Sequence, residues 1–137
     1  MTVVHPNIAL INQFFQAYAQ GDQNAIAQVL SKDIRWVIPG KHPLSGTKNG
    51  IEEVLHYFAQ LSESVFQAEP IVLGVNDQFV IDCHHNWSNR SDGINFKGMS
   101  CLLWKIEGEK ITEVYNFPEN QQYVDRFFAA AYSEPEY

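Results

Sequence analysis

The stretch Asp82-Cys83-His84-His85-Asn86-Trp87 puts an acid, two imidazoles, an amide and an indole into six consecutive positions. Flanking residues make it read as a β-strand running into a turn. Alternate side chains of a strand share a face, so Asp82, His84 and Asn86 form one row with Val80. Phe79, Ile81, Cys83, His85 and Trp87 form the other. Histidine is the residue type in the first row that exchanges protons near neutral pH, so His84 is the candidate general acid/base and Asp82 its support. The rise between alternate strand residues, roughly 6 to 7 Å, favours orientation or charge support over direct contact. His84 and His85 face opposite ways, and Asp82 with His84 lacks a third ligand, so no metal is predicted.

Two readings of this row are open. It is either the wet side of a half-buried strand or a polar row facing a hollow. The next strand, INFKGMSCLLWKIE, carries Phe96, Gly98, Ser100, Leu102 and Trp104 on its even face, with Lys97 and Lys105 on the odd one. A hairpin turning near Ser91 to Gly93 sets even residues against even ones, pairing His84 near Ser100 and Asn86 near Gly98. Small side chains opposite polar ones leave space, which favours a wet pocket. His85, on the other face, is assigned to a subunit interface.

The elements that must hold these residues are legible along the chain. NIALINQFFQAYAQ has apolar residues at helical spacing, entered at His5-Pro6-Asn7 and stopped at Gly21. A second helix, QNAIAQVLSKD, follows, then a strand over IRWVIPG, a loop over KHPLSGTKNG and a third helix over IEEVLHYFAQLSES. Four strands come next, over VFQAEPIVLGV, QFVIDCHHNWS, INFKGMSCLLWKIE and KITEVYNF, separated by Asn76-Asp77, Ser91-Asp92-Gly93 and Glu107-Gly108-Glu109. A last helix fits ENQQYVDRFFAAAY, with residues 131–137 read as a frayed tail. Helices first and hairpin-connected strands later predict an α+β fold, a curved antiparallel sheet covered by three N-terminal helices plus a short C-terminal one.

Whole-chain properties narrow the function. At 137 residues the chain is read as one domain over 1–137, and 45% hydrophobic content is globular. A net charge of −7, with nine Lys and Arg spread out, argues against nucleic acid. The first ten residues lack a basic leader pattern and no apolar run approaches a membrane span, which predicts a cytoplasmic protein that does not enter membranes. Cys83 and Cys101 do not make a disulfide framework and are read as free buried thiols.

The order and spacing of FFQAYAQGDQNAIAQVLSKDIRWVIPG, LSGTKNGIEEVLHYF and LLWKIEGEKITEVYNF resemble the nuclear transport factor 2-like superfamily. Within it, the chain is most similar to SnoaL-like polyketide cyclases and ketosteroid isomerases. The resemblance implies a cone-shaped half-barrel with a pocket for a small, largely apolar molecule, and a homodimer formed through the outer sheet face. It also makes the even parity concave. Ketosteroid isomerase works with an Asp base and an oxyanion hole of Tyr plus protonated Asp. Aligned on Gln20-Gly21-Asp22 and Pro39, those positions fall on Phe14, Ile38 and Leu102, none of which can carry a proton. The Asp-Arg-Asp arrangement of related epoxide hydrolases also lacks a counterpart, with Arg35 on the parity opposite Trp36 and Arg90 in a turn.

By the same parity the pocket should be lined by Trp36, Ile38, Leu102, Trp104, Val114 and Asn116, with Asn86 in the polar row. Phe14 and Tyr18 of the first helix and Leu55 and Phe58 of the third should close it. His42 is a candidate gate. The leading expectation is an isomerase, cyclase or hydratase acting without a cofactor on an apolar carbonyl compound. His84 and Asp82 would be its catalytic residues, with Asn116 or Tyr18 as hydrogen-bond donors. The alternatives are a non-catalytic binding protein with the same cavity, or a dimerisation module with a vestigial one.

Overall fold

A computed structural model describes residues 4–132. The chain opens with α1 (Pro6–Gln20) and α2 (Gln23–Val29), followed by β1 (Leu30–Ile38), β2 (Gly46–Asn49) and α3 (Gly50–Ser62). Then come β3 (Gln67–Val75), β4 (Phe79–Trp87), β5 (Lys97–Glu107), β6 (Lys110–Pro118) and α4 (Gln121–Ala131). His5 caps α1 by accepting from the Asn7 amide at 3.1 Å, with Pro6 pre-setting the first turn. Gly21, at φ 65°, ends it in the left-handed region that favours glycine, and Asp22 caps α2 through the Ala25 amide.

Six strands form one unclosed sheet in the order β2-β1-β6-β5-β4-β3. The curved sheet with helices on its concave side is the expected α+β half-barrel, but three details differ. The sheet is mixed, because β1 runs parallel to β6 while the other neighbours are antiparallel. The segment read as a loop after Pro39 contains β2, which pairs back on β1 from Arg35–Asn49 to Ile38–Gly46. Alternation tells which face of a strand is buried, not which neighbour it takes or in which direction. A third difference is at Leu30, where α2 stops four residues before the expected end. Leu30 and Ile34 are both buried and imitate helical spacing, yet the chain there is extended, with a ladder irregularity between Leu30 and Arg35 absorbing the offset.

Two further irregularities, between Pro70 and Val72 and between Lys105 and Ile106, add to the bend of the sheet. Pro70 is tolerated because β3 is an edge strand. The core lies between α1, α3 and the concave face, with Ile11, Val54, Val80, Trp104 and Val114 removed from solvent. Ala131 is still helical, and the Tyr132 hydroxyl donates to the Gln60 carbonyl at 2.7 Å, so fraying does not begin at 131. Residues 133–137 of the expected tail lie outside the described residues. No helix among the described residues is long and apolar enough to cross a membrane.

Candidate active site

The β4–β5 ladder has the expected register, His84 opposite Ser100 and Asn86 opposite Gly98. Even residues face the helices, so Asp82 is 0% and His84 5% exposed. One expectation needs correcting: the two side chains touch. His84 Nδ1 and Asp82 Oδ1 are 2.5 Å apart. Side chains lean along a strand, and that tilt closes a gap the backbone rise leaves open. The other carboxylate oxygen accepts from the Trp104 indole N–H. Trp104 pairs with Val80, which makes it the diagonal neighbour of Asp82 across the ladder, within reach of an indole. Its role follows from the same register read two residues further, although parity alone suggests only a wall.

A carboxylate oxygen can only accept, so the contact with Asp82 selects the His84 tautomer with its proton on Nδ1, which leaves Nε2 as the acceptor of that tautomer. His84 lines a cavity of about 110 Å³ beneath α1, α3 and α4. Phe15 packs edge-on against its ring, with centroids 6.2 Å apart. The ring is therefore held from behind by Asp82 and from the side by Phe15, leaving Nε2 for a ligand.

Of the expected lining, Phe14, Tyr18, Trp36, Phe58, Asn86, Leu102 and Asn116 all border this cavity. Ile38, Leu55, Trp104 and Val114 do not. Ile38, Trp104 and Val114 are buried one layer below, where inward parity means core rather than wall, and Leu55 packs against the core cluster. Phe14, Ile38 and Leu102, the three apolar replacements, are all buried. Parity in β4 to β6 could not reveal Phe66, Gln67 and Ala68 at the start of β3, or Val124 and Phe128 from α4. The space expected above Gly98 is also partly filled. A Cβ there would lie 3.0 Å from the Phe96 ring.

The polar groups of the cavity are few. Asn86 Nδ2 donates to Ser100 Oγ at 3.3 Å, while the Asn86 and Asn116 side-chain oxygens are buried with no partner. The Tyr18 hydroxyl reaches the Phe66 carbonyl at 3.5 Å, and burial, aided by Tyr132, pushes its pKa up to about 12. Burial, with Tyr18 next, also raises Tyr57, so both are neutral hydroxyls. No Lys, Arg, Asp or Glu side chain borders the cavity among the described residues.

Other candidates sit elsewhere. His42 does not stand free at the mouth. It stacks on Phe128 with centroids 4.6 Å apart, accepts from the Leu44 amide at 3.1 Å, and is held below its ordinary pKa chiefly by burial. Cys83 and Cys101 are free and directly opposed on the outer face, half-buried rather than buried. His85 is exposed on that same face. Arg35 points outward, 3.7 Å from Glu113, and Arg90 binds Asp92. No group of three His, Cys, Asp or Glu side chains is placed to hold a metal among the described residues.

Residues 11–114 match the family model described as SnoaL-like domain. The chain belongs to the SnoaL-like domain family. An uncharacterised protein of Mycobacterium tuberculosis is 23% identical over 127 residues, spanning 90% of this chain and 96% of its own. A nuclear transport factor 2-like protein of unknown function from Burkholderia pseudomallei has a similar structure, with a TM-score of 0.82 at 15% identity over 91% of this chain and 98% of its own. An LEH-like epoxide hydrolase of M. tuberculosis reaches a TM-score of 0.74 at 11% identity over 91% and 90%. These likenesses show the nuclear transport factor 2-like fold. At such identities they leave the chemistry to this chain's own residues.

Proposed function

We propose that this SnoaL-like protein is an acid–base enzyme, an isomerase, cyclase or hydratase of a small, largely apolar carbonyl compound. The observation that carries the reading is the buried Asp82–His84 pair, whose imidazole borders a cavity that no Lys, Arg, Asp or Glu side chain lines among the described residues. A buried carboxylate is costly to keep, and its neighbour is, among the described residues, the one imidazole bordering the hollow. His84 Nε2 takes a proton from carbon beside the substrate carbonyl. The electron pair moves to the carbonyl oxygen, giving an enolate and an imidazolium. Asp82 holds the tautomer and offsets the imidazolium charge. The imidazolium then returns the proton to another carbon or to the enolate oxygen. Tyr18, Tyr57 and the Asn116 amide are donors to that oxygen among the lining residues, which also include Gln67, Asn86 and Ser100.

The test uses proton transfer itself. Small cyclic ketones that raise the protein's melting temperature are incubated with it in D2O, and deuterium uptake beside the carbonyl is followed by NMR. Wild type should exceed buffer, His84→Gln should lose about 10²–10⁴-fold of the acceleration, and Asp82→Asn should lose a large part by presenting the wrong tautomer. No acceleration for any bound ketone, or an unchanged rate in His84→Gln, overturns the reading. Apolar Phe14, Ile38 and Leu102 favour a second reading, a binding protein with the same cavity. It would leave binding intact and show no His84-dependent exchange.

We further propose a homodimer through the outer sheet face. Val72, Cys83, Cys101 and Phe117 form one row there, with Val72 59% and Phe117 55% exposed, and Ile81 and Met99 flank it.

A further inference from the structure

We propose that Cys83 and Cys101 form a redox site, a dithiol that closes to an intrachain disulfide by exchange with a small-molecule disulfide. The site stands apart from the chemistry of His84. Both thiols are free, and the two residues are directly opposed on the β4–β5 ladder. Opposed residues of an antiparallel pair come in two kinds, and those that share no hydrogen bonds bring their side chains closer. Two bonds at the ends of the ladder tell which kind this is. The Ile106 amide donates to the Gln78 carbonyl at 2.8 Å, and the Ser88 amide donates to the Phe96 carbonyl at 3.0 Å. Between them the register runs from Phe79–Lys105 to Trp87–Lys97 without a shift. Bonded and open rungs alternate, so with 78 and 88 on bonded rungs every odd-numbered residue of β4 stands on an open one. Cys83 opposite Cys101 is such a rung.

An open rung holds its Cα atoms roughly 4.5 Å apart, inside the roughly 4.4–6.8 Å span that a disulfide bridges. The two thiols also lie within hydrogen-bonding reach of one another. Burial first, and then that bond with Cys83, raises the Cys101 pKa above its ordinary value. Their neighbours along the row, Val72 beside Cys83 and Phe117 beside Cys101, are both more than half exposed, so a small reagent reaches the pair from solvent. The dimer proposed above would cover this row, which makes the dissociated chain the reacting form. Exchange proceeds in two steps. The thiolate of one cysteine attacks a sulfur of the small disulfide, giving a mixed disulfide and releasing one thiolate. The thiolate of the other cysteine then attacks the protein sulfur of that mixed disulfide. The Cys83–Cys101 bond forms, the mixed bond breaks and the second half of the reagent leaves. The chain gives up two protons and two electrons, and the reagent departs as two thiols. The new bond would pin the rung between Asp82–Leu102 and His84–Ser100, on the back of the polar row.

The test incubates the dilute wild-type chain with oxidised glutathione at mildly alkaline pH, where thiolate is available. Samples are quenched with acid and read by intact mass and non-reducing electrophoresis. The expected product is a monomer that has lost two hydrogens, carries no glutathione and returns to the dithiol with dithiothreitol. The chain has two cysteines in all, so that mass identifies the bond. Closure of the mixed disulfide should be about tenfold or more slower in concentrated urea, where the ladder no longer sets the thiols side by side. A folded chain that ends with two bound glutathiones, as a disulfide-linked dimer or unreacted overturns the proposal. Closure that is equally fast in urea overturns it as well.

Discussion

A carboxylate shut away from water depends on its donors, and Asp82 has two, the His84 imidazole and the Trp104 indole. Trp104→Phe keeps most of the ring volume and removes the N–H, leaving one carboxylate oxygen buried and unpaired. The expected cost is on the order of 1–3 kcal/mol, read as a lower urea midpoint. Unchanged stability would mean that the indole bond contributes nothing. At this scale the sequence was informative about parity. Asp82, His84 and Asn86 could be placed on one face, and the small residues opposite them argued that the face was concave. The contact between Asp82 and His84 was not legible, because strand rise specifies backbone spacing and says nothing about how side chains lean.

Among the elements, α4 does more than cap the sheet. Its Phe128 lies between Phe66, with centroids 5.7 Å apart, and His42, at 4.6 Å, and it borders the cavity. Phe128→Ala should destabilise the fold by about 3–5 kcal/mol, measured by denaturant unfolding. It should also raise the pKa of His42 towards the ordinary value, followed by NMR, because burial is the main cause that lowers it, ahead of Asp125, which raises it, and Lys48, which lowers it. A folded-state pKa below the unfolded one means that the unfolded chain binds the proton first. Wild-type stability should therefore fall as pH drops below about 6.5, and less steeply in Phe128→Ala. Helix types and order were readable from apolar spacing in α1 and α3. The end of α2 was not, because Leu30 and Ile34 satisfy a helical period while lying in a strand. Nor was β2, whose four residues GTKN carry no apolar alternation and pair only because β1 offers an edge.

For the molecule as a whole, two predictions follow from what the fold buries and what it leaves bare. Burial raises Tyr18 from 10.0 to about 12, so between those values the unfolded chain has lost a proton that the folded one keeps. Stability should fall as pH rises through that window, by on the order of 2–3 kcal/mol from this group, with Tyr57 adding in the same direction. Tyr18→Phe should flatten the alkaline limb of a melting-temperature profile, and an unchanged limb would count against the burial argument. The bare outer face leads to the second. Phe117→Glu should convert the proposed dimer to a monomer in light scattering while leaving the far-UV spectrum intact. A wild-type monomer at micromolar concentration would refute that interface.

The chain by itself determined the α+β class, which residues of β4 share a face and the register of β4 on β5, because periodicity and side-chain type are local properties. It favoured a concave side for residues 80 to 86 without deciding it, and the missing isomerase acids were read through the family resemblance. Only the tertiary structure decided that β1 runs parallel to β6, that Asp82 is clasped by His84 and Trp104, and that α4 and the start of β3 complete the cavity. Those facts depend on which distant segments meet, and no local pattern encodes the direction or distance of a meeting.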